Sequence, residues 1–153
     1  METLVAESSL IIGKEVASQT ISGTSTSIIS RLGHINDNYG IECEKLFDDL
    51  DIKFKMEVIS NFIKNIRLKK FHISKESVDT CIEYIKNILL EIEKEMVSIQ
   101  DLKKDYEKQW FGNAMSSTKF LESFNKIKKK VTILESRFDY LVKLLNNSLN
   151  ITI

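Results

Sequence analysis

The chain has 153 residues, 42% hydrophobic and 29% charged, enough for one domain with its own core and too apolar for wholesale disorder. Lys and Arg number 22, as do Asp and Glu, so no global field steers it toward nucleic acid or an anionic membrane. There is no Pro, and Gly occurs only at positions 13, 23, 33, 40 and 112, a composition that favours long uninterrupted helices.

The start, Met1-Glu2-Thr3-Leu4-Val5-Ala6-Glu7, carries no basic segment and no sustained apolar run, so a secretory leader is not expected. No stretch approaches the roughly 18 apolar residues of a membrane span. The chain is expected to be cytoplasmic as made.

Leu4, Ile11, Ile12, Val16, Ile21, Ile28, Ile29 and Leu32 allow a first helix over about 3–31. Its weakest part lies near Gly23, because Ser18 to Ser30 is rich in Ser, Thr and Gly, which are mediocre helix formers. Those small residues would let another helix approach closely; a frayed N-terminal arm is the alternative. Gly33-His34-Ile35-Asn36-Asp37-Asn38-Tyr39-Gly40 gathers residues that tolerate positive φ or bond their own backbone, and it reads as a loop.

A second helix is predicted over about 41–69. Ile52, Ile59 and Ile66 recur at sevens with Met56 and Ile63 beside them, and Leu46, Phe47, Leu50 and Phe54 extend the stripe upstream. Asp48, Asp49 and Asp51 lack the alternating ligands and central Gly of a calcium loop and read as a solvated face. Lys64 to Lys75 is basic without an acid; a helix C-terminus and linker explain it as well as phosphate contact does.

Ser74 is a good N-cap for a third helix running to about residue 110. Val78, Ile85, Ile92, Ile99 and Tyr106 sit seven apart, with Cys81, Ile88 and Leu102 at the matching positions between and Ile82, Leu89 and Met96 widening the face. After Gln109-Trp110-Phe111-Gly112-Asn113-Ala114, Ser116 or Ser117 caps a fourth helix reaching about Asn146. There Phe120, Ile127, Leu134 and Leu141 recur at sevens, and so do Phe124, Val131, Phe138 and Leu145. Lys126, Lys128, Lys129 and Lys130 fall mainly off that seam, as a solvated or partner-facing flank.

Two heptad helices joined by a short turn must be antiparallel neighbours. The expected fold is therefore all-α: one domain, a bundle of about four helices ending in a coiled-coil-like hairpin over 74–150. Two helices cannot cover both stripes, so the first two helices or a second chain must complete the bundle. The interaction seam is Val78, Ile85, Ile92 and Ile99 with Phe124, Val131, Phe138 and Leu145, facing either the chain's own helices or another helical protein, self included.

No catalytic constellation is visible. His34 and His72 stand in separate predicted loops, and there is no nucleophile elbow or phosphate-cradling Gly loop. Glu91 and Glu95 lie at i, i+4 without the Glu-x-x-His of a di-iron bundle. Cys43 and Cys81 lack metal-site partners and suit small apolar fillers. No enzyme activity, cofactor, metal or small-molecule substrate is expected.

Trp110-Phe111-Gly112 at the bend of such a hairpin, with Ala114 and Phe120 following, resembles the WXG family of type VII secretion substrates and partners. The resemblance covers about residues 74–150. It implies that Trp110 and Gly112 are the turn motif, that the hairpin pairs with a helical partner, and that the chain leaves the cell without a classical signal. The family's tail signal, a Tyr with an acid four residues on, is not matched: Leu144 follows Tyr140 at that offset and Trp110 follows Tyr106.

Overall fold

A computed structural model describes the backbone of residues 2–66, 75–107 and 118–150, and side chains over 16–66, 76–102 and 118–147. Five helices run in chain order: α1 Glu2–Tyr39, α2 Ile41–Asp48, α3 Ile52–Lys64, α4 Lys75–Glu107 and α5 Thr118–Asn150. Among the described residues there is no strand. The all-α bundle is as expected; α5 runs to Asn150 instead of about Asn146, and two larger departures from the expected boundaries have physical causes.

The first is that the predicted loop at 33–40 is helix. α1 continues to Tyr39, and only Gly40 leaves helical geometry, at φ 91°. Burial overrides propensity here. Ala17, Ile21, Thr24, Ser25, Ile28, Leu32 and Ile35 form one buried stripe at steps of three and four, and Tyr39 continues it. The Tyr39 hydroxyl donates to the Ile99 carbonyl at 2.5 Å, pinning the end of α1 to α4. The polar residues that suggested a loop are accommodated on the helix: Asn38 donates to the His34 carbonyl at 2.7 Å. In the Ser/Thr-rich part, Thr20 and Thr26 donate back to Val16 and Ser22 carbonyls, a local bond open to hydroxyls in helices. The reversal into α2 falls on Gly40 alone, whose combination of positive φ and extended ψ is open essentially to glycine only.

The second departure is a break inside the predicted second helix. Cys43, Phe47 and Leu50 are buried at steps of four and three, and so are Ile52, Met56, Ile59, Ile63 and Ile66. The two stripes are out of phase. Continuing the first one reaches Phe54, which is 61% exposed, whereas Ile52, two residues after Leu50, is fully buried. One straight helix could not turn both stripes inward. The chain resolves this at Asp49–Asp51: Leu50 and Asp51 amides donate to the Phe47 and Asp48 carbonyls, and Asp51 takes left-handed geometry at φ 50°, ψ 42°. Its carbonyl then accepts from Lys55 N–H at 3.1 Å and opens α3.

Asp tolerates that conformation better than most residues, but an L side chain there still costs about 1–2 kcal/mol. We expect Asp51→Gly to hold or raise stability by up to about 1 kcal/mol. Asp51→Val should lower it by about 1–2 kcal/mol, since a β-branched residue is the worst fit to left-handed φ. Urea denaturation of the two variants checks the order.

The helices form a ring. α4 packs on both α5 and α1, and α1 packs on α2 and α3. Phe47 meets Phe124 and Phe62 meets Phe138, both edge to face at 5.2 Å between centroids, and Lys55 pairs with Glu135. These pairs rise together in number, so the α2–α3 arm runs parallel to α5. Across α4 and α5 the numbers run opposite, with the Arg137 guanidinium on the Tyr84 carbonyl and Lys130 beside Glu91. α4 and α5 are therefore the expected antiparallel pair, each 33 residues and about 50 Å long. At one end of the core Tyr39, Phe120, Phe124 and Phe47 pack as an aromatic cluster, with Tyr39 5.4 Å from Phe120.

Candidate interaction surface

The expected interaction seam is inside the bundle. Val78, Ile85, Ile92 and Ile99 on α4 are buried, as are Phe124, Val131 and Leu145 on α5. Phe138 is half-buried against the same core and capped by Phe62. α1 covers the seam from the α4 side, and the α2–α3 arm covers it from the α5 side. The eight residues are thus brought together, and the surface they share faces the chain's own helices. Trp110 and Gly112, the predicted turn motif, lie outside the described residues, as does His72.

The other candidates separate. His34 sits exposed on α1, not in a loop. Cys43 is fully buried, and burial pushes its thiol up to about 11, leaving little thiolate at neutral pH. Cys81 is half-buried and its thiol is also raised by burial; both cysteines are free. Among the described residues no group of three or more His, Cys, Asp or Glu is placed to hold a metal. Asp48, Asp49 and Asp51 are exposed around the α2–α3 break. Lys126, Lys128 and Lys129 are exposed, whereas Lys130 is tied to Glu91 at 3.6 Å. Among the described residues no helix is long and apolar enough to cross a membrane.

Polar groups are buried in α1 and also bridge it to α4. Thr24 and Ser25 are buried in α1, and the Ser25 hydroxyl finds no hydrogen-bond partner. Arg31 bridges from Ser27 to Gln100, donating to the Gln100 side-chain oxygen at 2.7 Å.

On the outer side of the α4–α5 pair lies a groove of about 350 Å³, lined by Thr80, Cys81, Tyr84, Ser136, Arg137 and Tyr140. Arg137 is its centre. The guanidinium donates to the Tyr84 backbone carbonyl at 2.7 Å and lies over the Tyr84 ring at 5.2 Å, a cation–π arrangement. The two tyrosines flank it with rings in solvent, Tyr84 at 54% exposure and Tyr140 at 61%. One turn before Arg137, Ile133 is also exposed, and one turn after Tyr140, Leu144 is half-buried.

Reading the seam alone misses this groove, although a signal was present. Ile133, Arg137, Tyr140 and Leu144 follow one another at four, three and four, a second stripe on α5 that shares no residue with the buried heptads. Thr80, Cys81 and Tyr84 supply the facing side on α4. Comparison with family models, with curated proteins and with solved structures gives no match, so the surface is read from its own residues.

Proposed function

We propose that this chain is a non-enzymatic helical interaction protein whose bundle is self-contained and which meets its partner on its outer surface. The observation that carries this reading is the fate of the heptad seams: the apolar positions that would zip to another helix are covered by α1 and the α2–α3 arm. A seam used up internally leaves the outer faces as the contact surface.

Sedimentation from micromolar to near-millimolar concentration should give a monomer of 17.7 kDa throughout. Photo-crosslinking side chains at Phe54, Leu90 or Tyr140, exposed positions on three different helices, should capture a defined protein in the source cells, while one at Ile92 should give only intrachain products. A dimer whose dissociation coincides with unfolding would refute the self-contained bundle. Failure of all three exposed positions to capture a partner would refute the interaction role.

A second reading is favoured by the antiparallel α4–α5 pair flanking residues 108–117, the arrangement that the WXG resemblance implies. On it the chain is a type VII secretion substrate or partner chaperone. A folded Trp110→Ala variant then loses export, and wild-type protein that is never exported refutes this reading.

A further inference from the structure

We propose that the outer α4–α5 groove is the docking site for an amphipathic helix of a partner protein, one that presents an acidic residue to Arg137 between two apolar residues. This rests on the interaction role above and names the surface and the chemistry of the occupant.

The geometry carries the argument in three steps. First, the groove together with the α5 stripe that extends beyond it at both ends has the length of a helix seat. From Ile133 to Leu144 is 11 residues of helix, about 17 Å, so a partner helix of roughly three turns spans it. A groove between two antiparallel helices accepts a third helix through anchors at i, i+4 and i+7. The exposed Ile133 side chain and Tyr140 ring of the stripe, with Tyr84 opposite, are those anchors' contacts. Tyr and Arg are also residue types that concentrate binding energy at interfaces, Tyr through a large ring with two angles to freeze and Arg through its planar fork of donors.

Second, charge selects the occupant. Two neighbouring basic groups are matched: Lys130 lies 3.6 Å from Glu91 and Lys86 lies 2.5 Å from Glu83. Among the described residues no carboxylate pairs with Arg137. Its guanidinium is held by the Tyr84 carbonyl and ring, and one carbonyl bond leaves most of its five N–H donors available. A fixed guanidinium fork set among apolar side chains is suited to a carboxylate, which it can grip through two parallel bonds. Spacing then sets the pattern: an apolar residue over Ile133, an acid over Arg137, an apolar residue over Tyr140 and Leu144.

Third, charge disfavours a second copy of this chain. A two-fold pairing of grooves centred on Arg137 would place one guanidinium against the other, which is unfavourable at close range. A different chain that supplies the acid has no such conflict.

The probe is a labelled 16-residue helical peptide with Leu, Glu and Leu at positions five, nine and twelve and polar residues elsewhere. Fluorescence anisotropy measures its affinity for the full chain, and amide chemical shifts locate it. Saturable binding with shifts concentrated at Thr80, Cys81, Tyr84, Ser136, Arg137 and Tyr140 is expected. Replacing the peptide's Glu by Gln should weaken binding about tenfold or more, the range for a hydrogen bond to a charged group. Arg137→Gln in the protein should weaken the Glu peptide by a similar factor and leave the Gln peptide nearly unchanged. Tyr140→Ala should weaken both peptides, and it removes an exposed ring, so the fold should survive it. Equal affinity of the Glu and Gln peptides for wild type, shifts that map elsewhere, or no binding at millimolar peptide overturns the proposal. So does concentration-dependent dimerisation abolished by Arg137→Gln, which would make a second copy the occupant. Crosslinks from Phe54 or Leu90 alone would leave the interaction role standing while this groove failed.

Discussion

Ile92→Ala is expected to lower the unfolding free energy by about 2–5 kcal/mol, the range for deleting a fully buried aliphatic side chain from a packed core. Ile92 is 0% exposed and sits midway along α4, between α1 on one flank and α5 on the other. Truncation leaves a void that both neighbours can close only by bending helices held along their length, so relaxation is limited. With a urea slope of roughly 2 kcal/mol per molar, the midpoint should fall by about 1–2.5 M. Leu90→Ala is the control. Leu90 lies two residues away on the outer face of the same helix, 40% exposed, and its loss should change stability by no more than about 0.5 kcal/mol.

The protein-concentration dependence of that midpoint carries a second answer. A seam buried by the chain's own helices gives the same midpoint at any protein concentration. A seam buried by a second chain gives one that rises with concentration, because association is then part of folding. We expect no such dependence for wild type or Ile92→Ala. A loss smaller than about 1 kcal/mol, or a midpoint that moves with concentration, would mean that Ile92 is not packed as described.

The hairpin was legible because its signal is redundant. Val78, Ile85, Ile92 and Ile99 repeat at sevens, Phe124, Val131, Phe138 and Leu145 do the same, and both series belong to helices with no internal Gly or Pro. The arm opposite was legible in type but not in continuity. Leu50 and Ile52 both had to point inward, and a two-residue step is foreign to a helix face. Taken as an upstream extension of the Ile52, Ile59 and Ile66 stripe, Phe47, Leu50 and Phe54 hide the conflict. The exposure of Phe54 and the left-handed Asp51 are how the fold settles it. The groove around Arg137 was hard to see for a different reason. Tyr84, Ile133, Arg137 and Tyr140 lie off the heptads, and an exposed aromatic carries meaning only once its neighbour across the helix pair is known. Ser25 is the converse case, since nothing in a Ser-rich run distinguishes the one hydroxyl that ends buried without a partner.

The stretch from Gly33 to Tyr39 gives the largest remaining test, because loop and helix predict opposite results there. Its composition favours a turn: Gly, Asn, Asp and Asn fall within six residues. Burial of Ile35 to 1% exposure and the Tyr39 bond to the Ile99 carbonyl outweigh that preference. Gly33 lies in the interior of α1, and a Cβ added to it meets nothing within 4 Å. Gly33→Ala should therefore stabilise the protein by about 0.5–1 kcal/mol, through the lower chain entropy of Ala in the unfolded state. Gly33→Pro should cost about 3 kcal/mol or more, since the ring removes one helix bond and collides with the carbonyl a turn earlier. It would also swing the last turn of α1 away from α4, releasing Ile35 and the Tyr39 hydroxyl together. Thermal and urea unfolding of the two variants should move in opposite directions from wild type. In a loop, Pro at this position would be close to neutral and Ala would gain little; two near-zero changes would return residues 33–39 to the loop that their composition suggests.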